Sequence, residues 1–129
     1  MGTITSVTGE ITITPALTWN QIRDSAFNPR SPSYDDDANV HLYIEQDTVQ
    51  TDEGPLQRLT ASALIPATED PFRAYRLIEH VQQLIDAFPG HQFTGRLDCM
   101  GDDAGDLWRV VLRDRCAVKV KPQIIWPED

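Results

Sequence analysis

Residues 40–67 read VHLYIEQDTVQTDEGPLQRLTASALIPA. Val40, Leu42 and Ile44 alternate with polar neighbours before Asp52-Glu53-Gly54, and Leu59, Ala61, Ala63 and Ile65 alternate after it. Period-two alternation on both sides of a short glycine-containing turn predicts a β-hairpin. One apolar and one polar face per strand is the pattern of an antiparallel sheet with helices on one face.

Toward the N-terminus the same period recurs. Val7, Gly9, Ile11 and Ile13 alternate with Thr8, Glu10, Thr12 and Thr14, which predicts a half-buried strand ended by Pro15. Thr18 and Gln21 then form a T-x-x-Q capping box, with Leu17 and Ile22 at the hydrophobic-staple positions. They predict a short helix from Trp19 to Phe27, stopping before Pro29. Residues 28–39, NPRSPSYDDDAN, read as a mobile loop.

Toward the C-terminus, Asp70-Pro71 has the form of an N-cap followed by a first-turn proline. Phe72, Tyr75, Ile78, Val81, Ile85 and Phe88 recur at helical spacing until Pro89-Gly90, which predicts an amphipathic helix laid on the sheet. Strands are expected over Gln92–Met100, Leu107–Arg113 and Ala117–Trp126. The acidic GDDAGD segment and an Arg113-Asp114-Arg115-Cys116 turn separate them. Pro122 marks an edge position or a bulge. The order is β-α-β-β-α-β-β-β. The predicted fold class is α+β, an antiparallel sheet with two helices on one face, in a single domain spanning residues 1–129. Its first six elements have the order of a ferredoxin-like unit, with an added C-terminal hairpin.

The 129 residues suit one domain, and a chain this long buries roughly two-thirds of its unfolded surface without a metal or disulfide staple. The net charge of −9 repels phosphate backbones, so direct nucleic-acid binding is not expected and a protein partner with a basic surface is favoured. No apolar run approaches the ~20 residues of a membrane helix. The N-terminus lacks the basic and apolar regions of an export signal, so a bacterial cytosol is expected, with Cys99 and Cys116 as reduced thiols. They could form a disulfide only if their strands were neighbours. Met1-Gly2 with Ser6 is a weak match to a myristoylation signal, opposed by the strand pattern from Val7 onward.

Chemistry-bearing motifs are sparse. His41, His80 and His91 show no zinc spacing, and neither cysteine sits in a nucleophile motif, so no metal site and no cofactor are expected and no catalytic residue is nominated. Phosphate-binding and nucleophile-elbow motifs do not occur. Asp98 to Asp106 could coordinate a hard cation, but its aspartates and glycines also serve an ordinary hairpin connection. Trp108 and Trp126 are expected in buried strand positions. The candidate binding residues are the acidic loops Asp35, Asp36, Asp37 and Asp102, Asp103, Asp106. With Glu45, Asp47, Asp52 and Glu53 they could present spaced negative charge to a basic cleft, as a DNA mimic does.

Several stretches carry a resemblance: Gly9-Glu-Ile-Thr-Ile-Thr-Pro15-Ala-Leu-Thr-Trp19, Thr51-Asp-Glu-Gly54, Phe93-Thr-Gly-Arg-Leu-Asp98, Gly105-Asp-Leu-Trp-Arg109 and Ile124-Ile-Trp-Pro127. Through them the chain resembles a family of small uncharacterised proteins from actinobacteria and their phages. The resemblance implies no activity. The expected function is a non-enzymatic modulator acting through a protein partner, with a host-modulating or anti-defence role in a phage setting. The alternatives are a small enzyme or ligand-binding domain with a cleft beside the sheet, and a structural oligomerisation module.

Overall fold

A computed structural model describes residues 4–103, 105–123 and 125–127. Strand β1 (Thr5–Thr18) leads into a single helical turn, α1 (Trp19–Ile22). A long hairpin follows, β2 (Val40–Thr51) and β3 (Gly54–Pro66), and then helix α2 (Leu77–Ala87). The chain closes with β4 (Gln92–Gly101), β5 (Leu107–Arg113) and β6 (Cys116–Val120). The strands form one sheet in the order β2-β3-β1-β4-β5-β6, antiparallel at every junction.

The inner face of the sheet carries Val7, Ile11 and Ile13 from β1, Leu42 and Leu64 from the hairpin, and Leu97 and Val110 from β4 and β5, all buried. Leu77, Val81, Leu84 and Ile85 of α2 pack onto it, joined by Leu17, Ile22 and Phe27. The alternation therefore reaches the core as the period of a pleated strand requires. It breaks at one place. The β2–β3 register shifts between Tyr43 and Ile44, where Tyr43 pairs with Ala63 and Ile44 with Ala61. Ser62 is the extra residue, and this bulge turns both Ala61 and Leu64 inward.

The expected α+β domain with two helices on one face, ferredoxin-like with an added hairpin, does not hold. The molecule is mostly antiparallel sheet, with one 11-residue helix and one 4-residue turn. The capping interaction forms, since the Thr18 N–H donates to Gln21 Oε1 at 2.9 Å. The helix nevertheless ends at Ile22, whose carbonyl accepts from the Ser25 N–H and from the Asn28 side-chain amide. Both the expected extension to Phe27 and the mobility of residues 28–39 are lost here. Asn28, Ser31 and Asn39 are buried, and Asn28 Oδ1 also accepts from the Arg30 N–H.

The second helix begins at Leu77, later than Asp70-Pro71 suggests. Phe72 spends its N–H and C=O on Thr5, at 3.0 and 2.7 Å, and so cannot join a helix. The N-cap is Arg76, whose N–H donates to Asn39 Oδ1 at 2.9 Å. Two further expectations fail in the strands. β1 continues through a cis Thr14–Pro15 bond to Thr18 rather than ending at Pro15. β6 ends at Val120, so Trp126 is neither in a strand nor buried, being 83% exposed. Met1 and Gly2 of the lipidation match, and Ile124 of the resembling stretches, lie outside the described residues.

Candidate functional site

The acidic residues do not converge. β1 runs from Thr5, which pairs with Gly101, to Thr18, which pairs with Thr60. The β4–β5 turn therefore sits at one end of the sheet and the β2–β3 turn at the other. Asp102, Asp103 and Asp106 occupy the first of these turns. There the Asp106 N–H donates to the Asp103 carbonyl and the Gly101 N–H to the Asp106 carbonyl, as an ordinary hairpin connection requires. Asp35, Asp36 and Asp37 lie just before β2, with β3, β1 and β4 separating that strand from β5. At about 4.8 Å per strand spacing, the two clusters are well over ~10 Å apart.

Carboxylate oxygens of Asp35, Asp36 and Asp37 come within 4.8 Å of one another. Asp35 is at work in the turn itself, since its Oδ1 accepts from the Asp37 N–H at 3.0 Å. Burial and the charges of Asp36 and Asp35 together raise the pKa of neighbouring Tyr34.

The histidines and cysteines are spread through the fold. His80 is buried and accepts the Asn39 N–H on Nδ1 at 3.0 Å. His91 is held between Gln21 Nε2 and the Pro15 carbonyl, and His41 Nδ1 lies 3.1 Å from the Leu42 carbonyl oxygen. Cys99 is buried on β4, and burial pushes its thiol up to about 12. Cys116 is exposed on β6. β5 stands between their strands, and both cysteines are free.

Two surface features stand out, and neither is visible as a unit in the sequence, although Asp98, Glu45, Asp47, Asp52 and Glu53 are among the acidic residues noted there. The first is on the outer face of the sheet. The Arg109 Nε–H donates to Asp98 Oδ1 at 2.6 Å, and Arg96 Nε lies 3.6 Å from the same oxygen. Beside this charged ladder, Ser6, Met100, Leu107, Val120 and Pro122 line an open groove of about 360 Å³. The alternating Arg96, Asp98 and Arg109 pattern was readable, but pairing these residues needed the β4–β5 register.

The second is the far half of the β2–β3 hairpin. β1 stops accompanying β3 at Thr60, yet β2 and β3 go on pairing from Gln46↔Leu59 to Thr51↔Gly54. This two-stranded arm is exposed along nearly its whole length, including Leu56 at 56%. Thr51 ties the tip, its hydroxyl donating to the Gly54 carbonyl at 2.7 Å. Across the arm the Arg58 guanidinium grips both oxygens of Asp47, at 2.7 and 2.9 Å, and holds that carboxyl below its ordinary pKa. Glu45, Asp52 and Glu53 add further negative charge. A length mismatch between this hairpin and the strand beside it marks the arm, and such a mismatch is visible only once pairing is known.

Over residues 1–129 the sequence matches the family described as "Family of unknown function (DUF6205)". The chain belongs to DUF6205. No curated protein and no solved structure matches it. The DUF6205 match spans every element above, the arm included. In this DUF6205 chain no helix is long and apolar enough to cross a membrane, among the described residues.

Proposed function

We propose that this protein is a non-enzymatic binding module whose acidic β2–β3 arm engages a protein partner with a basic surface. The observation that carries the reading is the arm itself. A two-stranded ribbon gains little stability on its own in water, so residues 46–59 add exposed surface rather than core. The arm holds three carboxylates, Asp47, Asp52 and Glu53, with Glu45 at its base, against the single guanidinium of Arg58. Charge of this kind steers association with a basic partner and sets its specificity. The protein belongs by this reading to an actinobacterium or one of its phages and acts in the bacterial cytosol, modulating a host protein.

The test is capture from lysate of such a host, comparing the full chain with a variant whose residues 46–59 are replaced by a two-residue turn. Loss of a specific protein with the arm supports the reading. Equal recovery with and without the arm overturns it. A second reading, a small apolar ligand on the outer face, is favoured by Met100 and Leu107, exposed at 60% and 43% beside the Asp98–Arg109 pair. Thermal stabilisation by a metabolite, abolished by Leu107→Glu, would establish it.

A further inference from the structure

The two edges of the sheet are treated differently. β6 is short, carries Lys119, and is followed by Lys121 and Pro122. Its edge is also occupied: the Ala117 N–H donates to Gln82 Oε1 at 2.7 Å, and Gln82 Nε2 donates to the Arg115 carbonyl at 3.0 Å. Short length, lysine, proline and a covering side chain are the devices that stop an edge from pairing with another chain.

β2 has none of these along its outer half. Its edge is closed at the base, where the Leu42 N–H donates to the Phe27 carbonyl at 2.8 Å. That bond fixes the parity of the strand. The N–H and C=O of Leu42 point away from β3, and in a regular strand so do those of Ile44, Gln46, Thr48 and Gln50. The two-residue turn between the paired Thr51 and Gly54 gives the same parity from the other end. Among the described residues, the backbone groups of these four have no hydrogen-bond partner on that edge. The segment contains no proline, no lysine and no bulge of its own, since the bulge is on β3.

We infer that the outer edge of β2, from Ile44 to Gln50, is a strand-addition site for an extended basic segment of another protein. The inference rests on the partner reading above and names how the arm would be engaged. Main-chain bonds to four alternate residues supply affinity in this mode, and side chains of the added strand supply specificity. Glu45 and Asp47 flank the edge. Asp47 is already paired with Arg58 across the arm. Glu45, which has no ion-pair partner among the described residues, favours a cationic side chain opposite it. The same two residues oppose pairing between two copies of this chain. A two-fold antiparallel register centred on Glu45, Gln46 or Asp47 sets carboxylate against carboxylate, which is destabilising.

The test uses the 15N-labelled full chain and two synthetic eight-residue peptides of alternating valine and charged residues, one with lysine and one with glutamate. The lysine peptide is expected to protect the amides of Ile44, Gln46, Thr48 and Gln50 from exchange, and the glutamate peptide to leave them unchanged. Thr48→Pro removes an outward N–H without touching the β2–β3 ladder, which an edge strand tolerates. It should lower affinity by about tenfold or more at unchanged Tm. The double variant Glu45→Lys with Asp47→Lys leaves the backbone intact and should reverse the peptide preference.

No protection by the lysine peptide, protection centred on Asp35–Asp37 or Asp102–Asp106, or full binding by a folded Thr48→Pro chain would each overturn the inference. Should Thr48→Pro unfold, the charge-reversal variant decides alone. Arm-dependent capture from lysate combined with absent edge protection would refute strand addition and leave the partner reading standing. Arm-independent capture would refute the partner reading itself.

Discussion

Gly9 and Gly95 lie on facing strands, one on each side of the Glu10↔Arg96 pair, and each approaches the other strand too closely to carry a side chain. A Cβ on Gly9 would stand 2.6 Å from the Arg96 carbonyl oxygen, and one on Gly95 2.5 Å from that of Glu10. Both residues have positive φ, 103° and 117°, which L side chains rarely adopt. Gly9→Ala and Gly95→Ala are each expected to destabilise the fold by about 1–3 kcal/mol, measured by denaturant unfolding. Because they act on the same backbone approach, the double variant should cost less than the sum of the two. Strict additivity would show that the two positions are independent.

Arg115 clamps the C-terminal end of α2. Its guanidinium donates to the carbonyls of Ile85, Phe88 and His91 and lies 5.7 Å from the centre of the Phe93 ring. A cation is favourable there because the last carbonyls of a helix lack i+4 partners and carry the negative end of the dipole. Arg115 also adopts a positive φ of 66° in the β5–β6 turn, following Asp114 at 50°. Relief of backbone strain alone would make Arg115→Gly stabilising. With the clamp dominant, Arg115→Gly and Arg115→Ala both destabilise, by about 1–2 kcal/mol. The sign of the glycine variant in thermal unfolding decides between the two.

His80 makes stability depend on pH. Burial lowers its pKa from the ordinary 6.5, nearby Arg76 adds to the effect, and Glu79 and Asp35 oppose it. Its Nδ1 must stay unprotonated to accept the Asn39 N–H. Below pH 6.5 the unfolded chain binds a proton that the folded chain resists, so stability falls as pH drops from 7 toward 5. His80→Gln should flatten that slope in urea titrations at several pH values. An unchanged slope would place the titrating group elsewhere.

The two thiols should behave oppositely. Cys116 is exposed, whereas Cys99 is buried with its thiol pushed up to about 12 and hence not ionised at neutral pH. A thiol reagent at pH 8 is expected to modify one cysteine in the folded protein and two after unfolding. Rapid modification of both in the folded state would contradict the packing around Cys99.

The sheet was legible because its strands alternate. Val7, Ile11 and Ile13, and Val40 with Leu42, are inward-facing as their spacing indicates. The helices were overread because capping signals are local and tertiary partners outbid them. Asn28 claimed the carbonyl of Ile22, and Thr5 claimed the backbone of Phe72. The Ser62 bulge also escaped, since Leu59, Ala61, Ala63 and Ile65 suggest an unbroken face, whereas Ala61 and Leu64, three residues apart, are the fully buried pair. The acidic loops were read correctly as turns, but their separation across the sheet depends on strand order, which alternation does not encode.

The central place of β1 has a consequence for synthesis. Its neighbours are β3 and β4, so Ile11 waits for Leu64, and Gly9 for Leu97, before either finds its partner. The β2–β3 and β5–β6 hairpins close locally, whereas β1, made before its neighbours β3 and β4, is among the last of the six strands to be enclosed. Late closure of this kind slows folding. Throughout it, the alternating Val7–Ile13 stripe stays open to chaperones and to mispairing with other nascent chains.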